Sequence, residues 1–387
     1  MGRFDATGGY RRFVYTAAER ECRDWFTQEA RRRDLSVEAD RNGNLWAWWG
    51  DRTAGDAIAT GSHLDSVPDG GAFDGPLGIV SAFAAIDLLR EAGDQPRRPI
   101  AVAAFAEEEG GRFGVACLGS RLLSGAITPE RARGLTDDSG VTFAEAMAAA
   151  GGDPEGIGAD DKLLSRVACY VELHIEQGRA LIDMDAPVAV GRAIWPHGRW
   201  RMDFTGRADH AGTTRLDDRA DPMLTYANTV LAARKKARLA DAVATVGRVF
   251  CEPNGTNAIP SAVRAWLDAR APRPESLDQV VAELKRATET RAAKDGTHVA
   301  FTEESFSSEV VFDAALRDRI SGTLHSAPVL GTGAGHDAGV LASRIPTAML
   351  FVRNPTGISH APDEHAELDD CLTGAQALAE VLRELAC

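Results

Sequence analysis

An α/β protein with a mixed sheet, interrupted by an inserted α+β domain, is what this sequence predicts. Three features carry that expectation. Apolar strand-like runs alternate with helix-like segments over the first half of the chain. Near Gly191 the pattern changes to strands that alternate polar and apolar residues, as half-exposed antiparallel strands do. After Ser305 the first pattern returns, and the 387 residues suit two or three domains.

In order, residues 57–61 read as a buried strand. Residues 77–89 read as a helix, because Ile79, Phe83, Ile86 and Leu89 share one face. Residues 99–106 are a second buried strand, 114–123 a short helix and 169–173 a third strand. The Gly/Asp/Ala-rich stretch 136–161 reads as a helix with polar connections. A half-exposed strand over 199–204 then opens a new series: helix 222–237, strands 242–250 and 262–269, helix 277–292, strand 297–302. Strand–helix–strand–strand–helix–strand is the ferredoxin-like, split-βαβ order. A buried strand over 345–352 and a helix over 370–385 close the chain. The expected division is a discontinuous domain of residues 1–190 and 305–387, with 191–304 inserted as a second domain.

Composition narrows the function. Acidic residues number 57 against 43 basic ones, a net charge of −14. That field opposes a nucleic-acid or anionic-membrane partner. No apolar run is long enough to span a bilayer, and the charged first residues carry no signal core. The 6 cysteines are scattered with no C-x-x-C pair, which points to free thiols in a reducing cytoplasm.

Chemistry-bearing residues gather at the expected C-terminal ends of strands, the edge where open α/β sheets bind ligands. His63 follows the first buried strand, and Asp74 sits in the tight turn Gly70-Gly-Ala-Phe-Asp-Gly-Pro76. Glu108 and Glu109 follow the second, His174 ends the third, and His360 follows the strand 345–352. Singly, each is ordinary turn, cap or surface chemistry. Together they form a mixed imidazole and carboxylate set suited to divalent ions. A pair of metals needs a bridging carboxylate, for which Asp74 is the candidate. Asp65 is placed to hydrogen-bond the far nitrogen of His63.

With these residues in view, the sequence resembles the M20 metallopeptidase clan, and within it the ureido-hydrolase branch. That branch holds N-carbamoyl-L-amino acid hydrolases, allantoate amidohydrolase and β-ureidopropionase. The resembling stretches are GSHLDSVPDGGAFDGPLG (61–78), EEEGGRFGVACLGS (107–120), ELHIEQG (172–178), DHAGTT (209–214), NGTNAIP (254–260), GAGHDAG (333–339) and GISHAPDE (357–364). The resemblance implies a di-metal aminopeptidase-like catalytic domain with an inserted lid and dimerisation domain. It implies two divalent ions per chain, zinc or manganese, with cobalt or nickel tolerated. One ion would be held by His63, Asp74 and His174, the other by Asp74, Glu109 and His360. Glu108 would be the general base and His210 the donor to the oxyanion. Asn257 and Arg270 would bind the substrate carboxylate, Gln177 would contact the ureido group, and His336 of GAGHDAG would stand behind the ligands. The substrate would be a small ureido carboxylate, an N-carbamoyl-L-amino acid or allantoate. The protein would be a cytoplasmic homodimer in which His210 and Asn257 reach the partner's site. The family usually begins with a helix ahead of the segment matching residues 5–12, so the start is expected to be short.

Rival expectations are an aminoacylase or dipeptidase on N-acyl amino acids, and an inactive dimeric binding module on the same scaffold. Peptidase branches usually carry an acid at the position of His174, which favours the ureido branch. No G-x-S-x-G elbow occurs, and the glycines of 331–335 lack dinucleotide-loop spacing. Arg179, His197, Arg215 and Arg353 depart from the family pattern and are either receivers of a second polar arm of the substrate or plain surface residues.

Overall fold

The computed structural model describes residues 1–325 and 327–387. It divides into two compact units, Met1–Ala193 with Val311–Cys387, and Ile194–Val310. In chain order the strands are β1 (Ser36–Ala39), β2 (Leu45–Trp49), β3 (Ala57–His63), β4 (Ile100–Phe105), β5 (Val167–Ile175), β6 (Val188–Ile194), β7 (His197–Thr205), β8 (Asp209–His210), β9 (Val243–Glu252), β10 (Ala258–Ile259), β11 (Ala262–Arg270), β12 (His298–Ser307), β13 (Val310–Val311), β14 (Val329–Thr332) and β15 (Thr347–Val352).

The large sheet runs β1-β2-β4-β3-β5-β15-β6-β13, with β14 also on β6. Its centre, β4-β3-β5-β15, is parallel, and the flanking β2 and β6 are antiparallel to it. The chain leaves β3 toward β4 on one side and returns to β5 on the other. This reversal opens a crevice at the carboxyl ends of β3 and β5. Every residue of β3, β4 and β15 is buried, which is why these strands read as unbroken apolar runs. Helix Pro76–Glu91 lays Ile79, Phe83, Ile86 and Leu89 into the core, and Phe26 of helix Ala17–Arg32 meets Phe83 at 5.2 Å between ring centroids. Helix Leu368–Ala386 adds Leu378, Val381 and Leu382.

In the second unit the order β12-β7-β11-β9 is fully antiparallel. Relative to their order in the chain the strands stand 4-1-3-2, the split-βαβ arrangement. Along β11, Val263, Ala265, Leu267 and Ala269 are buried and pack in one core with Leu277 and Leu284 of helix Pro274–Asp295 and Ala233 of helix Pro222–Leu239. Residues 136–161 hold one short helix, Phe143–Ala149, between polar connections, and a further turn of helix, Asp161–Leu164, starts where the stretch ends. The helix expected over 114–123 is Leu118–Ser124, since residues 111–117 form a turn that Cys117 leaves in the left-handed region, φ 55°. Among the described residues no helix is long and apolar enough to cross a membrane.

Gly61 shows how tightly β3 lies against β4. Its φ is +142°, and an added methyl would collide with the Ala103 carbonyl oxygen. Gly61→Ala is expected to destabilise the protein by about 3 kcal/mol, through overpacking and backbone strain. Urea unfolding measures this, and a loss below about 1 kcal/mol would show that β3 can move aside.

Candidate active site

Two aligned strand ends fix the first residues of the site. His63, the last residue of β3, stands in register with Phe105, the last of β4. His174 was expected at the end of its strand. It lies inside β5 instead, because the buried run continues and Ile175 still pairs with Val352 of β15. Asp74 lies on the loop leading into helix Pro76–Glu91. Glu364 fixes that loop, its Oε1 accepting the N–H groups of Phe73 at 3.0 Å and Asp74 at 2.9 Å. After β4 the backbone turns at Glu107, φ 54°, whose carboxylate accepts the N–H groups of Arg112 and Phe113. Asp65 holds the next two residues by accepting the N–H of Glu108 at 3.2 Å and of Glu109 at 3.0 Å.

These loops bring together two triads that share Asp74: His63, Asp74 and His174, and Asp74, Glu109 and His360. Asp74 Oδ1 is 3.4 Å from His63 Nε2 and 3.3 Å from His174 Nε2. Its other oxygen, Oδ2, is 3.5 Å from His360 Nε2, which is 3.4 Å from Glu109 Oε2. Glu108 Oε2 is 3.6 Å from His63 Nε2. Both His63 and His174 are 1% exposed. Among the described residues neither of their Nε2 atoms has a hydrogen-bond partner, although each is fully buried. Their Nδ1 atoms face backbone carbonyl oxygens, His174 that of Ile175 at 2.9 Å and His63 that of Asp65 at 3.3 Å. The carbonyl, rather than only the carboxylate of Asp65 (3.5 Å), therefore supports His63. A neutral imidazole with Nδ1–H on a carbonyl presents an Nε2 lone pair, the form that binds metals.

Charge is crowded here. Burial drives Glu108 well above the ordinary carboxylate range, and the neighbouring acids Asp337, Glu109 and Asp65 add to it. Burial, then Asp74, lifts Glu109 to about 8. Burial also opposes ionisation of Asp74, yet the imidazoles of His174 and His63 outweigh it and hold Asp74 well below the usual value. For His63 the desolvation penalty is overcome by Glu108, Asp65 and Asp74, and its pKa rises. Orphaned imidazole nitrogens amid buried carboxylates make a donor set that fits divalent cations.

Other expected residues fall variously. Gln177 Nε2 donates to Asp74 Oδ2 at 2.8 Å and Ser359 Oγ at 3.1 Å, and lies 3.2 Å from His360 Nε2. His336 is buried with its ring 4.5 Å from that of His174. Burial and the neighbouring His174 push its pKa well down, so it is neutral. His210, Asn257 and Arg270 belong to the second unit. Strands β8 and β10 pair His210 with Ala258, next to Asn257, on an exposed ribbon. His210 Nδ1 accepts the N–H groups of Gly212 at 3.0 Å and Thr213 at 3.2 Å. Arg270, at the end of β11, is oriented by both carboxylate oxygens of Asp268, at 2.9 and 3.2 Å. Arg353 is engaged by the last helix. Two bonds of 2.8 Å tie it to Asp370, so it staples the last helix to the end of β15. Arg179 pairs with Asp183, and His197 Nδ1 faces the Trp195 carbonyl.

Sequence reading passed over Glu364, Glu172 and Cys117. Glu172, buried in β5, accepts Ser62 Oγ at 3.1 Å and the N–H of Ala338 at 2.9 Å. Cys117 Sγ donates to Glu108 Oε1 at 3.1 Å. Glu172 and Glu364 stand in motifs that were recognisable, but their partners come from distant segments.

Known proteins share this arrangement of chain. The model of peptidase family M20/M25/M40 matches residues 59–384. An N-carbamoyl-L-amino acid amidohydrolase of Geobacillus stearothermophilus is 37% identical, over 98% of this chain and 94% of the relative. An allantoate amidohydrolase of Escherichia coli is 31% identical, over 99% of this chain and 94% of its own. Among solved structures, an amidase of the hydantoinase/carbamoylase family from Burkholderia multivorans superposes with a TM-score of 0.86 at 30% identity, covering 98% of this chain and 93% of that one.

Gly75 tests the geometry of the shared carboxylate loop. Its φ is +82°, and an added Cβ would lie 2.5 Å from the His63 imidazole. Gly75→Ala is expected to weaken divalent-cation binding about 10–100-fold, as displaced ligand supports do. Calorimetric titration with zinc or manganese, with circular dichroism as the folding control, reads the change. Wild-type affinity in a folded variant would place His63 outside the cation site.

Proposed function

Because the chain belongs to peptidase family M20/M25/M40, we propose that it is a metal-dependent amidohydrolase that cleaves the ureido carbon–nitrogen bond of an N-carbamoyl-L-amino acid or of allantoate. Ammonia and carbon dioxide are released together with the amine that bore the carbamoyl group, the free amino acid in the first case. The observation that carries this reading is the pair of triads meeting at Asp74, with two buried imidazole nitrogens that make no hydrogen bond among the described residues. The names of the relatives support the substrate class.

In this reading His63, Asp74 and His174 hold one divalent cation, and Asp74, Glu109 and His360 hold the other. Zinc or manganese suits the donors, and cobalt or nickel is tolerated. Bound cations supply Lewis acidity and can lower the pKa of a water from 15.7 to about 7. Ureido carbonyls are weak electrophiles because two nitrogens donate into them, so polarisation is what the substrate needs. Glu108 takes the proton of the attacking water and delivers it to the departing nitrogen. His210 donates to the carbonyl oxygen as it gains charge. Its Nδ1 already accepts two backbone N–H groups, which leaves the proton on Nε2. Arg270, oriented by Asp268, pairs with the substrate carboxylate through parallel hydrogen bonds, assisted by Asn257. With Asp74 and His360 engaged as ligands, the Gln177 amide that now lies beside them would be released to contact the ureido group. Asp65 holds the base loop by two backbone N–H groups, and His336 packs behind His174. The second unit (194–310) acts as lid and dimerisation domain in a cytoplasmic homodimer, and the remainder carries the catalysis.

Two measurements test the reading. Glu108→Gln is expected to keep its two ions per chain while kcat falls by about 10²–10⁴. Near-normal turnover would remove Glu108 as base. Ammonia release is expected from N-carbamoyl-L-amino acids or allantoate in a panel that includes ureidopropionate and N-acetyl-amino acids. Hydrolysis of the N-acetyl compounds alone would make the protein an aminoacylase. Silence on the whole panel, in protein that holds metal, would favour a binding module.

A further inference from the structure

Glu108 has two carboxylate oxygens, and the reaction proposed above accounts for one. Oε2 lies near His63, whereas Oε1 accepts the Cys117 thiol at 3.1 Å. Beyond that thiol lies Asp337. Its Oδ1 accepts Ser120 Oγ, and its Oδ2 is buried with no hydrogen-bond partner. Glu108, Cys117 and Asp337 are 5%, 3% and 0% exposed, and one ligand atom from each lies within 4.8 Å of the others. Cys117 is fixed by its backbone, in the left-handed region at φ 55° and with its N–H on the Glu108 carbonyl at 2.6 Å. Its sulfur therefore stays beside the carboxylate. An unpartnered, fully buried carboxylate oxygen is costly, and this carboxylate has a ligand atom within 4.8 Å of a thiol and a second acid.

We propose that Glu108, Cys117 and Asp337 form a third metal site, distinct from the two triads, which takes thiophilic divalent ions such as cadmium or excess zinc and inhibits the enzyme. The ligand chemistry sets the selectivity. A thiolate with two carboxylate oxygens favours zinc and softer ions over manganese or magnesium, which prefer oxygen alone. Zinc–sulfur and zinc–oxygen bonds of about 2.3 Å and 2.0–2.2 Å need donors spaced about as these are. On binding, the Cys117 thiol and the two carboxyl groups release the protons they carry to solvent, and the sulfur and the two carboxylates become ligands. Glu108 so engaged no longer takes a proton from water. The inhibition thus rests on Glu108 being the base, whereas the ion binding does not.

The test titrates the two-ion holoenzyme with cadmium chloride. A thiolate-to-cadmium ultraviolet absorption is expected to grow over one further equivalent, with turnover falling at the same midpoint. Cys117→Ser keeps a donor for Glu108 but removes the soft ligand. It is expected to lose that absorption step and to raise the inhibitory midpoint at least about tenfold relative to its own uninhibited rate. An unchanged step and midpoint in this variant would overturn the site. Should the variant not fold, cadmium-soaked wild-type crystals decide, since an anomalous peak bonded to Cys117 Sγ supports the site and its absence overturns it. A third ion that binds at Cys117 and leaves turnover intact overturns the inhibitory role and Glu108 as base together. Failure to prepare any two-ion form overturns the reading of the triads, while the absorption at Cys117 still decides the third site.

Discussion

The position of one carboxylate organises the rest. Asp74 sits where the parallel strands diverge, and both of its oxygens are in use, Oδ1 toward the buried imidazoles and Oδ2 toward His360. Its loop is not free to relax. Glu364 holds the loop backbone by two N–H groups, and Gly75 packs on the His63 ring with no room for a side chain. Move this carboxylate and both triads come apart.

The cluster around it would be untenable as bare charge. Two unit charges 4 Å apart at an effective dielectric of about 20 interact by about 4 kcal/mol, and this pocket packs acid against acid. The fold offsets part of that with fixed donors rather than with salt bridges. Asp65 takes two backbone N–H groups, Glu107 two more, and Glu364 another two. Glu108 and Glu109 receive no comparable pair, and burial lifts both. The backbone thus gives the supporting acids fixed donors, although burial still lifts Glu107 to about 8, and leaves the working ones without such pairs. On the proposed reading, cations supply the positive charge there.

Legibility in the sequence followed the same division. Central strands such as β4 could be found because burial on both faces leaves no polar residue in the run. The split-βαβ series was visible because one face of each strand is apolar. Helix Ala17–Arg32 and strand β2 were passed over for different reasons. The helix anchors through Cys22, Phe26 and Ala30 amid a largely charged sequence. Leu45–Trp49 is apolar throughout, but it is short and holds no β-branched residue to mark a strand, whereas β4 has Ile100 and Val102. The metal-type residues were readable because strand ends and glycine turns mark them locally. Glu364, Asp337 and Cys117 were not, since each acts on a residue brought to it by the fold.

The histidines show how the backbone assigns chemistry to one residue type. His63 and His174 point Nδ1 at carbonyl oxygens, so that nitrogen carries a proton and Nε2 is the atom left to offer a lone pair to a cation. His210 points Nδ1 at two N–H groups, so the lone pair is there and Nε2 carries the proton. No side-chain acid is needed to set either state. In β5 the pleat presents a carbonyl to the ring, and in the turn after β8 successive amides converge on it. A ligand and a hydrogen-bond donor are thereby made from the same imidazole. Exchanging the local backbone, rather than the residue, would exchange their roles.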